Sequence, residues 1–323
     1  MRIGCIGLGN IGRHLAANLM AAGFDVVVHD LHPTSAEPLL AAGASWGGSP
    51  ADVAASVDAV ITCLPSVAAI TNVVAGEHGL VEGFRAGSTW IDMSTNDRRE
   101  LVRLAELLAA KGVHTLEAPV TGGAHNASSA TITVLVGGDE AVFRRHADVF
   151  DAVGGRVFYI GDLGKAAVIK VITNMLAFIH IAATAEAYML AARADIDLRT
   201  AWEVIRASSG NSFIHETEST TILSGSYDIG FSLDLSCKDL GFATQLGREL
   251  DVPLDIAGLV EQLNIRARAT FGGSAGSPMV ARLLETACGV DLRAPGFPAT
   301  LDEYLASMPR AARSTAPDDA GAN

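Results

Sequence analysis

The amino-terminal half of the chain alternates short apolar runs with longer amphipathic stretches. The apolar and β-branched runs are typical of strands buried on both faces of a sheet, and they are Ile3–Ile6, Val26–His29, Ala59–Cys63, Thr89–Asp92 and Thr131–Val136. The stretches between them favour helices, namely Ala16–Ala22, Ala51–Ser56, Arg98–Lys111 and Glu140–Phe150. This alternation predicts an α/β fold with a doubly wound sheet.

Beyond Gly161 the pattern changes to long windows rich in alanine and leucine, with few strand signals. Helical windows are Lys165–Arg193, Arg199–Ala207, Leu235–Leu250 and Ile256–Thr270. The second half is therefore predicted to be all-helical, with a boundary near Gly161–Gly164. We predict one domain over residues 1–161 and a second over 162–310. Residues 311–323, rich in Ala, Asp, Ser and Gly, are predicted to form a disordered tail.

The composition fits two folded domains and excludes several classes of protein. Of the 323 residues, 49% are hydrophobic and 18% charged, which is enough for two cores and unlike a disordered chain. Lys and Arg total 23 against 36 Asp and Glu, so the net charge is −13. Because no basic block interrupts this acidic chain, nucleic acid and anionic membranes are poor partners. A small anion could still be bound by local backbone N–H groups.

Cysteine usage and hydropathy bear on the compartment. The four cysteines lie far apart and form no CxxC motif or Cys/His cluster. We therefore expect reduced thiols in a cytoplasmic protein and no metal site. The mean hydropathy of +0.32 raises the question of a membrane span. The most apolar stretch, 168–192, carries Lys170, Asn174, His180 and Glu186, a heavy penalty for a lipid-facing helix. We interpret it as a helix buried between domains.

A glycine loop joins the first strand to the first helix. In the sequence Gly7-Leu8-Gly9-Asn10-Ile11-Gly12, the first glycine permits a tight turn, the second lets the backbone approach a pyrophosphate, and the third lets helix and strand pack closely. Methyltransferases, flavoproteins and plain strand–helix turns carry similar loops. Asp30 ends the second strand 18 residues beyond Gly12, where a ribose-binding carboxylate is expected. The pattern indicates NAD rather than NADP, because Asp30 would repel a 2′-phosphate.

Three further segments follow predicted strands. Leu64-Pro65-Ser66 and Asp92-Met93-Ser94-Thr95 close the strands before them, at the sheet edge where doubly wound proteins bind ligands. In Thr121-Gly122-Gly123 a hydroxyl precedes two glycines, whose exposed N–H groups suit a carboxylate. Ordinary strand-terminating turns, and for the third segment a hairpin turn, are the alternative interpretations.

Lys170 and Asn174 stand four residues apart on the long apolar helix and therefore share one face. A buried lysine is costly unless it is used or paired. Because burial lowers the pKa of an amine, such a lysine could accept an alcohol proton while hydride leaves the carbinol carbon. Alternatively, the lysine extends its amine to a domain surface. For Lys238-Asp239-Leu240 the residues alone favour a helix-terminal acid at Asp239 and a solvated lysine.

Taken together and in this order, these motifs resemble the β-hydroxyacid dehydrogenase family, of the 3-hydroxyisobutyrate dehydrogenase type, from Arg2 to about Cys288. The resemblance implies an NAD-binding Rossmann domain, a long interdomain helix and an all-helical substrate and oligomerisation domain. It implies Lys170 as the catalytic acid/base and Asn174 as substrate-orienting. It further implies substrate binding by Ser94, Thr121, Gly122 and Gly123, and cofactor contacts from the glycine loop, Leu64, Pro65, Thr95 and Lys238.

The chain departs from the family pattern mainly where substrate would be selected. Thr121 replaces a serine, Thr173 an asparagine and Ala166 a glycine, while the continuation 124–130 has lost its glycines. Phe213 stands where relatives have tryptophan, and His215 and Glu216 follow it. We interpret His125 and His215 as polar surface or pocket residues rather than metal ligands.

The function predicted from these features is NAD-dependent oxidation of a small 3-hydroxy acid, or reduction of the corresponding semialdehyde, by a homodimer or homotetramer. An imine reductase on the same fold is an alternative, although such relatives usually lack the lysine. A catalytically silent nucleotide-binding protein is a second alternative.

Overall fold

The computed structural model describes residues 1–301, 303 and 304. The predicted tail 311–323 lies outside the described residues. The chain divides into two compact units, Met1–Thr173 and a second one from Asn174 onward, so the division falls inside one long helix. The domain boundaries at residues 161 and 310 stay a prediction.

The strands are β1 Arg2–Ile6, β2 Asp25–His29, β3 Ser45–Trp46, β4 Ala59–Thr62, β5 Thr89–Asp92, β6 His114–Glu117, β7 Val120–Thr121, β8 Ile132–Gly138 and β9 Gly154–Gly161. The helices of the first unit are α1 Gly12–Ala21, α2 Glu37–Ala41, α3 Pro50–Ser56, α4 Val67–Ala75, α5 Leu80–Gly83, α6 Arg98–Ala109, α7 Gly123–Ser128, α8 Glu140–Arg145 and α9 Ala147–Val153. Helix α10, Lys165–Arg193, runs across the division. It is followed by α11 Leu198–Arg206, α12 Phe213–Glu216, α13 Ser219–Ser224, α14 Leu233–Glu249, α15 Asp255–Phe271 and α16 Val280–Cys288.

The first unit is built on a mixed sheet with strand order β3-β2-β1-β4-β5-β6-β8-β7, and β9 pairs with the free side of β8. Strands β1 to β6 are parallel, whereas β8 runs antiparallel to β6 and β7. The order reverses at β1, between β2 and β4, so the carboxyl ends of these strands flank the place where doubly wound sheets bind ligands. The predicted α/β class is confirmed.

Apolar layers cover both faces of this sheet, which explains why its central strands are continuous apolar runs. Ile3, Cys5 and Ile61 belong to one core, and Ile6 and Val60 belong to the other. Side chains of adjacent strand residues point to opposite faces. The second unit has its own core around Tyr188, Trp202 and Leu233.

Some predicted elements differ from the structure. The helix predicted over Glu140–Phe150 is two helices, because the His146 ring bonds the Val142 carbonyl 3.0 Å away and the backbone leaves the helical region at His146. Strands β3, β6, β7 and β9 were not predicted. Strands β3 and β7 have two residues each, and three of the four residues of β6 are polar. Strand β9 begins with two glycines and leaves Phe158 half exposed.

Helix α10 has the predicted bounds and 29 residues. By length and apolar composition, among the helices of the described chain, it alone could cross a membrane, and 44% of its most apolar window is buried. Core helices of soluble proteins pass the same test, so this property is weak evidence for a membrane.

Candidate active site

The glycine loop and Asp30 lie together at the carboxyl ends of β1 and β2. Gly7 has φ +91°, and a Cβ at Gly12 would lie 1.9 Å from the Gly7 carbonyl oxygen. The Leu8 N–H donates to Oδ2 of Asp30 at 2.7 Å, and the His32 N–H donates to Oδ1 at 2.8 Å. Asp30 is thus held beside the loop. A Cβ at Gly9 would meet nothing within 4 Å, so the loop is open at the position where a pyrophosphate would approach.

A buried carboxylate joins the loops that follow β4 and β5. Asp92 accepts hydrogen bonds from the Thr62 hydroxyl at 3.0 Å, the Ser94 N–H at 3.1 Å and the Asn96 amide at 3.0 Å. Burial raises the pKa of Asp92 against these donors. Ser94 Oγ in turn accepts the Leu64 N–H at 2.9 Å. The structure therefore brings the Leu64 and Ser94 segments together, a link that the sequence analysis did not include.

The remaining two residues of this edge are more accessible. Pro65 is exposed and Thr95 is half-buried. Both positions are open to a ligand at the edge formed by β4 and β5.

The Thr121-Gly122-Gly123 segment is both the end of a hairpin strand and an unusual turn. Strand β7 pairs with β8, with Thr121 opposite Thr133. Gly122 and Gly123 have φ of +119° and +82°, which side chains other than glycine rarely adopt. The Asn126 amide donates to the Gly122 carbonyl at 3.0 Å and closes the turn. Asn126 thereby gives the altered continuation 124–130 a structural role.

Lys170 and Asn174 are both buried on α10, with 7% and 9% of their surface exposed. The lysine therefore does not extend to the surface. In the second unit the Asn174 amide donates to Oδ2 of Asp239 at 2.6 Å, and Lys238 Nζ lies 3.2 Å from Oδ1 of the same carboxylate.

The prediction of a helix-terminal acid at Asp239 and a solvated Lys238 is wrong. Helix α14 begins at Leu233, so Asp239 lies inside it, and its side chain is 1% exposed. The Lys238 side chain is 18% exposed and lies over the Phe242 ring. An acid buried mid-helix requires partners, and Lys238 and Asn174 provide them.

The sequence analysis gave no role to Glu117, which ends β6 and is buried. Its carboxylate accepts the N–H groups of Gly164, Ala166 and Ala167 at the start of α10. Burial raises the pKa of Glu117 to about 7, opposed by these three donors. The sequence signal that could have pointed to Glu117 is an acidic residue at the end of a strand, separated by three residues from the Thr121 segment.

The expectation for His215 was wrong, because it is a core residue. Its side chain is buried, with Nε2 3.0 Å from the Trp202 carbonyl and Nδ1 3.2 Å from the Tyr188 hydroxyl. Burial lowers the pKa of this imidazole. His125 is half-buried. Within the described residues, no group of three His, Cys, Asp or Glu could hold a metal ion.

Comparison with known proteins identifies both parts of the chain. A family model described as the NAD binding domain of 6-phosphogluconate dehydrogenase matches residues 2–161. A second, described as NAD-binding of NADP-dependent 3-hydroxyisobutyrate dehydrogenase, matches residues 164–284.

Full-length relatives agree with these matches. The chain is 33% identical over 293 residues to 2-(hydroxymethyl)glutarate dehydrogenase of Eubacterium barkeri, covering 90% of this chain and 97% of that protein. It is 34% identical over 257 residues to L-threonate dehydrogenase of Pectobacterium atrosepticum, covering 79% and 84%. A crystal structure of 3-hydroxyisobutyrate dehydrogenase from Salmonella typhimurium matches with a TM-score of 0.82 at 32% identity, covering 88% and 99%.

The predicted family and enzyme class are therefore confirmed, and the family models support binding of a nicotinamide cofactor, NAD(P). The relatives are dehydrogenases of hydroxy acids, and the reaction class is oxidation of a CH–OH group. This chain belongs to the 3-hydroxyisobutyrate dehydrogenase-like family of β-hydroxyacid dehydrogenases.

Proposed function

We propose that this enzyme oxidises the hydroxyl of a small 3-hydroxy acid with NAD, or reduces the corresponding semialdehyde, with Lys170 as general acid/base. The observation that carries the proposal is the burial of Lys170 on an otherwise apolar stretch of α10. Lysine is almost never buried in this way unless its amine is paired or has a chemical role. An amine buried one helical turn before the Asn174 amide suits proton exchange with a substrate hydroxyl.

The glycine loop and Asp30 would hold the cofactor. The space beside Gly9 is open and suits the pyrophosphate, while Asp30 suits the ribose hydroxyls. We assign Leu64, Pro65, Thr95 and Lys238 to further cofactor contacts. Asp30 favours NAD, because a 2′-phosphate would meet its negative charge, and neighbouring Leu31 is exposed and carries no charge to compensate.

The substrate carboxylate would bind to Thr121, Gly122 and Gly123, with Ser94 beside the same sheet edge. When bound, the nicotinamide accepts the hydride from the carbinol carbon. Lys170 takes the hydroxyl proton in oxidation and returns it in reduction. A held carboxylate determines which carbon is presented, and such orientation contributes about 7–11 kcal/mol.

Asn174 would orient the substrate hydroxyl, and Asp239 would orient Asn174. Because the Asn174 amide nitrogen donates to Asp239, the amide oxygen points away from that carboxylate. Lys238 places its amine 3.2 Å from the other oxygen of this buried carboxylate. Asp239 thus determines which end of the Asn174 amide is presented.

We also propose a homodimer or homotetramer in the cytoplasm. In the second unit Leu250, Val252, Ile256 and Leu259 are each at least half exposed, and Leu190 is 73% exposed. Four of these apolar side chains lie within ten residues of chain, and exposed apolar surface favours burial against another chain. None of the four cysteines is in a disulfide, which suits a reducing compartment.

The test is a spectrophotometric assay of NAD reduction with 3-hydroxyisobutyrate, 2-(hydroxymethyl)glutarate, L-threonate and the uncharged amide of 3-hydroxyisobutyrate. We expect turnover of at least one acid and little of the amide. Lys170→Ala should lower kcat by about 10²–10⁴. Lys170→Arg should also fail, because a guanidinium keeps its proton.

Lys165→Ala is the matched control, since Lys165 lies on the same helix, is exposed and pairs only with nearby Asp162. It should retain full activity. Near-normal turnover by Lys170→Ala would refute the role of Lys170. Reduction of cyclic imines without hydroxy-acid oxidation would indicate an imine reductase, and NADH binding without any turnover would indicate a silent nucleotide-binding protein.

A further inference from the structure

Glu117 holds the beginning of the helix that carries Lys170. An α-helix starts with four N–H groups that have no partner inside the helix. At the start of α10, the N–H groups of Gly164, Ala166 and Ala167 all donate to the Glu117 carboxylate, the last two at 3.0 and 2.8 Å. The Lys165 N–H donates to the Asp162 carbonyl at 3.2 Å. All four donors are therefore satisfied, three of them by one side chain.

Glycine on the neighbouring strand makes room for this carboxylate. Gly137 on β8 stands opposite Glu117 in the antiparallel pair. A Cβ at Gly137 would lie 2.4 Å from Oε1 of Glu117, closer than side chains tolerate. The position of the carboxylate thus depends on the absence of a side chain at residue 137.

The turn held by Glu117 lies directly before Lys170. Lys170 follows Ala166 by four residues and Ala167 by three, so these residues share one face of α10. Side chains on a helix lean toward its amino terminus. By this lean, the Lys170 side chain is expected over the turn whose backbone donates to Glu117.

Glu117 also begins the segment proposed to bind the substrate carboxylate. Three residues separate it from Thr121, and two hydrogen bonds fix the chain between them to the sheet. The Ala118 N–H donates to the Asp92 carbonyl at 2.7 Å, and the Leu135 N–H donates to the Pro119 carbonyl at 3.0 Å. One carboxylate thus links the Thr121 segment to the first turn of α10.

We propose that Glu117 is a positioning residue, which sets the Lys170 amine relative to the Thr121-Gly122-Gly123 segment through the backbone of α10. The inference rests on the proposed function of Lys170. Its effect is expected in kcat, because a displacement of about 1 Å in a reacting group costs about 100-fold in rate. A carboxylate at a helix amino terminus also interacts favourably with the helix dipole.

Glu117→Gln tests this role with little change in shape. The amide nitrogen cannot accept a hydrogen bond, so at least one of the three N–H groups loses its acceptor. We expect kcat for the best hydroxy acid to fall about 10- to 100-fold, within the loss that a 1 Å displacement causes. KM for the acid and the Kd for NADH should change much less. Gly137→Ala displaces the same carboxylate without altering its chemistry and should reproduce this selective loss of kcat.

Asp139→Ala is the control for simple loss of a helix cap. The Asp139 side chain accepts the Val142 N–H at 3.0 Å at the start of α8, which carries no proposed catalytic residue. It should lower stability by about 0.5–2 kcal/mol and leave kcat unchanged. An equal kcat loss in this control would refute a specific role for Glu117.

Two measurements by mass spectrometry do not require turnover. Amide hydrogen exchange over residues 164–170 should be at least tenfold faster in Glu117→Gln and unchanged in Asp139→Ala. Labelling of the Lys170 amine by an amine-reactive ester should also change rate in Glu117→Gln. Faster exchange with unchanged labelling and kcat would show a purely structural cap and overturn the proposal. If the wild type oxidises no hydroxy acid, the proposed function fails, and an unchanged Lys170 labelling rate would overturn the positioning role separately.

Discussion

Two glycines of the cofactor loop are required for different reasons, and this difference can be measured. A Cβ at Gly9 would meet nothing within 4 Å, and Gly9 does not adopt a left-handed φ. A Cβ at Gly12 would lie 1.9 Å from the Gly7 carbonyl oxygen and 3.3 Å from Cys63 Cβ. Gly9→Ala and Gly12→Ala therefore add the same methyl group to two very different surroundings.

Gly9→Ala should change the free energy of unfolding by less than about 0.5 kcal/mol, as for surface substitutions. Its methyl group occupies the space through which a pyrophosphate would reach the loop N–H groups. Losing one hydrogen bond to a charged group costs about 1.5–3 kcal/mol, which raises the Kd for NADH by about 10- to 150-fold. We expect Gly9→Ala to be a folded protein with weak cofactor binding.

Gly12→Ala should lose stability as well as binding. The added Cβ would lie 1.9 Å from a backbone carbonyl oxygen, about 1 Å closer than the 3.0 Å that real Cβ atoms keep. The first turn of α1 must move, at a cost of about 1–3 kcal/mol for overpacking. Each kcal/mol lowers Tm by about 2–4 °C in a chain of this size class.

The assays are NADH fluorescence titration for Kd and thermal unfolding without cofactor for Tm. The two variants should differ in Tm and not in Kd. Wild-type NADH affinity in Gly9→Ala would show that the pyrophosphate does not approach this glycine. A fall in Tm equal to that of Gly12→Ala would show that the space around Gly9 is not open.

Three further outcomes are expected. Asp30→Ser combined with Leu31→Arg should shift the ratio of kcat/KM for NAD and NADP at least tenfold towards NADP, and a wild type that already prefers NADP would contradict the role of Asp30. Asp239→Asn should lower Tm and raise KM for the hydroxy acid, because Asn174 and Lys238 lose a charged partner worth about 1.5–3 kcal/mol. Unchanged kinetics in this variant would show that Asp239 does not position Asn174. Burial raises the pKa of Glu117 from 4.5 to about 7, with a further contribution from nearby Asp92, so the native state binds more protons than the unfolded state. The free energy of unfolding therefore falls by about 3 kcal/mol as pH rises through that window. The Tm advantage of wild type over Glu117→Gln should be larger at pH 5 than at pH 8, and a constant difference would refute this.

Local patterns along the chain determined much of this protein. Short continuous apolar runs are typical of strands covered on both faces, and from them β1, β2, β4 and β5 were predicted nearly residue by residue. The helical period alone places Lys170 and Asn174 on one face of α10. The glycine loop followed by Asp30 is likewise local, since its function depends on one turn and the end of the next strand.

The exposed and polar elements have too little hydrophobic periodicity to be predicted from the sequence. Strand β9 begins with two glycines and has an exposed side, so its pairing with β8 compensates for a weak local preference. The break at His146 depends on a ring nitrogen that reaches a carbonyl one turn earlier. Both features arise from specific hydrogen bonds rather than from periodicity.

Only the tertiary structure decided which partners the buried polar and charged groups have. Asp239 is paired with Asn174 across 65 residues of chain, and Glu117 with the Ala167 N–H across 50. His215, which looked like a surface residue, is surrounded by Trp202 and Tyr188. Residue type indicates that a buried polar group needs a partner, but not which one. The partner is selected by strands and helices that meet in space, because folding brings together donors and acceptors that no spacing rule relates.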